Sequence, residues 1–93
     1  MKRTLDISKV VKEIYDSINA DIGCLQDNLC SKEPGAASRK WHNNAWDADQ
    51  YAQFACSCVA IDTLLGLLKD LKIHKKYRDA KFEREAANWA GIY

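Results

Sequence analysis

The sequence predicts an all-α protein: a long antiparallel helical hairpin with a short C-terminal helix, closing by self-association into a dimeric helical bundle. Three features carry that prediction. One is an apolar stripe, Ile7, Val11, Ile14, Ile18, Ile22, Leu25 and Leu29, spaced by threes and fours. The second is a stretch from 45 to 71 whose apolar residues fill about half of a helical circumference, too much for one partner helix to cover. The third is a C-terminal recurrence of Phe82, Ala86, Trp89 and Tyr93 at four, three and four. At 93 residues the chain is one domain, and a second copy is the simplest cover for surplus apolar surface.

The first helix is expected over about 7–30, with Asp6 or Ser8 capping its free amides. Ile7, Ile18 and Leu29 are eleven residues apart, about 3.67 residues per turn, so the packing seam should run nearly straight. Gly23 lies inside it, either where a neighbouring backbone approaches or as a tolerated weak point. Periodicity stops at Ser31, and Ser31-Lys32-Glu33-Pro34-Gly35 has turn chemistry, so 31–44 reads as a loop. A second helix over about 45–71, with Asn44 as its N-cap, carries Phe54, Cys58, Ile61, Leu65 and Leu68 on its core seam. Its spare apolar side, Ala60, Leu64, Leu67 and Leu71, is the expected self-association face. A basic junction at 72–76 leads to a third helix over about 77–91, with Lys81 and Glu85 paired on its outer face.

Function is less legible. Residues 1–38 and 39–71 each carry one net negative charge and residues 72–93 three net positive charges, a weak footprint for a general nucleic-acid binder. No apolar run matches the roughly 18 residues of a membrane span, and Met1–Leu5 leads into the first helix without a signal-peptide core, so the expected site of action is the cytoplasm, away from the membrane. In a reducing cytoplasm Cys24, Cys30, Cys56 and Cys58 read as free thiols. Their helical spacing offers no chelating edge, and the expectation is no metal and no cofactor. Nucleophilic catalysis would need Cys56 or Cys58 with His42 or His74 as base, an orienting group and an oxyanion site; that set is not visible, and the chain reads as a non-enzyme.

Two clusters are candidates for binding a partner. Arg39, Lys40, Trp41 and His42, with Trp46 close by, put cations beside planar aromatics in the expected loop. Such a set can form a protein hot spot or stack a base, or Trp41 and Trp46 can simply cover the open end of the hairpin. The run Lys69, Lys72, His74, Lys75, Lys76 and Arg78 can meet an anionic surface or complement a helix C-terminus. The favoured function is a small binding protein that blocks or bridges a larger macromolecular partner, most readily a protein. Phage and mobile-element inhibitors of host defence systems share this size and architecture, an analogy of form alone. The rivals are a nucleic-acid-binding regulator using Lys69–Arg78 and an oligomer that sequesters a nucleotide on Trp41.

Overall fold

A computed structural model describes residues Asp6–Tyr93; the reading of Met1–Leu5 lies outside the described residues. They form α1 (Ile7–Leu29), α2 (Pro34–Asn43), α3 (Ala48–Asp70), a 3-10 turn (Lys75–Tyr77) and α4 (Ala80–Ala90). All regular structure among them is helical, and the four α-helices pack into one elongated body of 55 × 25 × 19 Å.

α1 follows its stripe. Val11, Ile14, Ile18, Ile22, Leu25 and Leu29 are buried, and Asp6 caps the helix by accepting from Lys9 N at 3.3 Å. Cys30 ends it in a left-handed conformation (φ 50°). A Cβ at Gly23 would meet nothing within 4 Å, so this glycine admits no neighbouring backbone and is the tolerated weak point.

The expected loop at 31–44 contains α2. Pro34 does more than stop α1: it opens α2 at a first-turn position, where its missing N–H costs nothing. Only Ala37 and Trp41 of α2 are buried, one i,i+4 pair, too short a stripe to register as periodicity. α3 consequently starts later than expected, and Asn44 is not its cap. Asn44 instead closes α2, its backbone N–H and side-chain amide both donating to Lys40 O. Asp47 caps α3 through a reciprocal pair: Gln50 N donates to Asp47 Oδ1 at 2.8 Å, and Asp47 N donates to Gln50 Oε1 at 3.0 Å.

α3 buries Phe54, Ser57, Cys58, Ile61 and Leu68, with Leu64 and Leu65 half-buried against the same core. It is also long and apolar enough, by length and composition, to cross a membrane, with mean hydropathy 1.5 over eighteen residues. That corrects the expectation that no stretch reaches this threshold; the interspersed Gln53, Ser57, Asp62 and Thr63 break the run to the eye without lowering the average below it.

After Asp70 the chain reverses. Lys72 takes a left-handed φ of 54°, which lets Ile73 N donate back to Leu68 O at 3.1 Å while the Ile73 side chain enters the core. α4 begins at Ala80, capped by Asp79, and packs on α3 and α1. It starts three residues beyond the expected 77 because Lys75–Tyr77 close a separate turn first. Ala86 and Trp89 are buried and Phe82 half-buried, but the helix stops at Ala90, so Tyr93 falls off the aromatic stripe and is 65% exposed. Ion pairs among the described residues are Lys12–Asp16 and Arg78–Glu83; the expected Lys81–Glu85 pair is not formed.

Candidate partner-binding surface

The Arg39–Trp46 cluster is largely built into the fold. Trp41 is 5% exposed, with its ring edge-on to Phe54 at 5.2 Å; Trp46 also meets Phe54 edge-on, at 5.3 Å, and donates from Nε1 to Trp41 O at 3.1 Å. Lys40 donates from Nζ to Cys30 O at 2.8 Å, satisfying a carbonyl at the end of α1. His42 Nε2 lies 3.1 Å from Ile92 O, which Ser38 Oγ also approaches at 2.7 Å. A carbonyl only accepts, so His42 carries its proton on Nε2 and, with Ser38, fastens the C-terminal segment to α2. Trp41 is therefore a core residue. Of the five residues, Arg39 alone is exposed with no side-chain hydrogen bond among the described residues.

The basic cluster at the other end is different. Lys69, Lys72, His74, Lys75 and Lys76 are all exposed, beside Leu71 at 51% exposure. None of the four lysines forms an ion pair among the described residues. The turn that displays them is held from below: His74 Nδ1 accepts from Lys76 N at 3.0 Å, Lys76 Nζ sits 5.0 Å from the Tyr77 ring centre, and Ile73 is anchored in the core. Like charges this near in sequence repel one another, and an anionic partner relieves that repulsion.

Arg78 does not belong to this free set. It donates from Nε to Glu83 Oε2 at 3.0 Å and pairs with Oε1 through a second nitrogen. Tyr15 Oη donates to Glu83 Oε2 at 2.6 Å and accepts from Asp79 N at 2.8 Å, so α1 is bolted to the start of α4. The guanidinium holds the Glu83 carboxyl below its ordinary value. Burial, with the Glu83 hydrogen bond, pushes the Tyr15 phenol up to about 12. The neutral phenol therefore contributes its full stability below pH 10, and loses it as pH rises from about 10 to 12, where the unfolded chain ionises first. Urea midpoints should fall over that window in the native chain and fall less in Tyr15→Phe; identical pH profiles would show that the phenol is not held neutral by the fold. Nothing local announced the part played by Tyr15, which lies 68 positions from Glu83 and 64 from Asp79.

Cys58 is fully buried, its thiol is raised to about 11 by desolvation, and Sγ donates weakly to Trp89 O at 3.6 Å. Among the described residues no three His, Cys, Asp or Glu side chains converge to hold a metal ion. An open groove between α3 and α4, lined by Asp62, Leu65, Lys69, Arg78, Glu83 and Arg84, mixes charges of both signs and selects neither. The expected self-association face divides: Ala60 and Leu64 are half-buried, while Leu67 and Leu71 are exposed. Comparison with protein families, with curated proteins and with solved structures gives no match to this chain.

Proposed function

We propose that this chain is a small non-enzymatic binding protein of the cytoplasm that blocks or bridges a larger, acidic macromolecule, most readily a protein. The observation that carries this reading is the set of Lys69, Lys72, Lys75 and Lys76 at the end of α3 and the turn after it, exposed and without ion pairs among the described residues, in the same stretch as exposed Leu71. Exposed cations close in sequence to an exposed apolar residue suit a protein surface that offers carboxylates about an apolar spot. α1 and α3 serve as an antiparallel hairpin that holds this tip away from the aromatic end: Gln53, early in α3, reaches Cys24, late in α1, whereas Tyr15 meets Asp79 beyond the end of α3. The exposed side of α3 supports a homodimeric bundle, and four free thiols suit a reducing compartment.

The same lysines support a nucleic-acid-binding reading. The nucleotide-sequestering reading loses its stacking platform, because Trp41 offers no open ring face. One experiment separates the first two. Affinity capture from source-cell lysate, with and without nuclease, should yield a stoichiometric protein that survives nuclease and is lost with Lys72→Ala/Lys76→Ala, at a cost of about 1–2 kcal/mol in affinity. Loss on nuclease treatment, with the double variant lowering the salt slope by about two, would move the assignment to nucleic acid. A partner retained by the double variant would remove the basic tip from the function.

A further inference from the structure

The face of α3 turned away from the core is unusually bare of charge. At about 100° per residue, Ala52, Ala55, Val59, Thr63 and Gly66 all lie within about 40° of Val59 on the helix surface. Each is exposed, as are flanking Cys56 and Leu67, and Val59 reaches 56% exposure. Between Asp49 and Lys69 the only ionisable carboxylate or cation is Asp62. Gly66 is equally unexplained within the chain: it sits in the last third of a long helix, where glycine costs about 1 kcal/mol relative to alanine, and a Cβ there would meet nothing within 4 Å.

We infer that this face is covered by the same face of a second copy, the two α3 helices running antiparallel about a two-fold axis near Val59. The inference rests on the homodimer reading and gives it a surface and a direction. Charge fixes the direction. Asp47 caps the start of α3 and Asp49 lies in its first turn, whereas Lys69 lies in its last turn with Lys72, Lys75 and Lys76 beyond it. Asp49, Lys69, Lys72, Lys75 and Lys76 are exposed and form no ion pair among the described residues. A parallel pair would set acid against acid and lysine against lysine, with the helix dipoles aligned. An antiparallel pair brings each acidic start beside the partner's basic end and opposes the dipoles. Asp70 subtracts one charge from the basic end and leaves its sign unchanged.

Size sets the strength. Two such faces meeting over the length from Ala48 to Leu67, about 28 Å, bury on the order of 1,000 Å² in total, the low end of specific interfaces, so the pair belongs among the weak, concentration-dependent associations. Small side chains at the centre, with Gly66 and Ala52 near the two ends, let the backbones approach closely and recover dispersion contacts from a modest area. A lipid bilayer covers the face less well. Insertion would carry Asp62 into hydrocarbon at a cost of about 3 kcal/mol and would withdraw Phe54, Cys58, Ile61 and Leu68 from the core.

Sedimentation equilibrium of the full chain from about 1 to about 200 µM tests this without any other partner. The native chain should pass from monomer to dimer, and Val59→Arg should weaken the association at least tenfold with an unchanged circular dichroism spectrum, since the position is exposed. Asp49→Lys should weaken it several-fold and Asp49→Lys/Lys69→Asp should restore it. A native chain that stays monomeric overturns the interface and the homodimer reading with it; a dimer indifferent to Val59→Arg overturns this interface and leaves the homodimer reading standing on another face. Dissociation by Val59→Arg without rescue by the charge exchange overturns the antiparallel order alone. Monomers that float with phosphatidylcholine vesicles through Val59 would assign the face to a membrane instead.

Discussion

Ile18→Asp is expected to unfold the protein. Ile18 is completely buried at the middle of α1, in a core shared with Leu25, Phe54 and Ile61. A carboxylate there has no partner, and either its burial as an ion or its forced protonation costs several kcal/mol. A chain of this length commands a stability of about 5–10 kcal/mol, and the lost isoleucine packing adds to the penalty. Far-UV circular dichroism should show most helicity gone at 25 °C and no cooperative thermal transition. A helical, cooperatively melting Ile18→Asp variant would mean that the α1 stripe does not form the core.

Trp41→Ala is expected to cost about 3–5 kcal/mol of stability, the range for emptying a buried large aromatic site. The indole fills the space between α2 and Phe54, and its removal also strips a neighbour from His42, whose ring lies 6.2 Å away in a near-parallel stack. Read from the sequence, the same substitution would spare the fold and remove a partner contact. The sequence leaves open a structural role as well, in which Trp41 covers the end of the hairpin; its burial favours that role, and the urea midpoint decides between the two. A midpoint that falls by the equivalent of several kcal/mol places Trp41 in the core; an unchanged midpoint would return it to the surface.

The contrast between Ile18 and Trp41 shows where sequence patterning stops being informative. Ile18 belongs to a stripe of seven apolar residues, and a helix that long can bury such a stripe in only one way. Trp41 sits in a ten-residue helix whose only other buried residue is Ala37, among Arg39, Lys40, His42 and Asn43. Nothing local separates an indole that plugs a core from one that greets a partner. Arg78 and Lys76 make the same point with charge. They are two residues apart in one basic run, yet Arg78 is tied to Glu83, which also accepts from Tyr15, while Lys76 stays exposed and forms no ion pair among the described residues. The difference depends on α1 and α4 meeting beside that run.

The sequence by itself determined the helical class, the extent and buried face of α1, the core seam of α3 through Phe54, Cys58, Ile61 and Leu68, and the inward side of α4 at Ala86 and Trp89. These follow from the period of apolar residues, which every turn of helix reinforces. Pro34 at the start of α2 and the Asp47–Gln50 capping box of α3 are local signals, whereas the tertiary structure alone decided that Lys40 and His42 secure chain ends and that the bare side of α3 is left uncovered within one chain. Each of these tertiary outcomes turns on which groups remain for a carbonyl or an apolar face once distant segments have packed, and local spacing does not encode that.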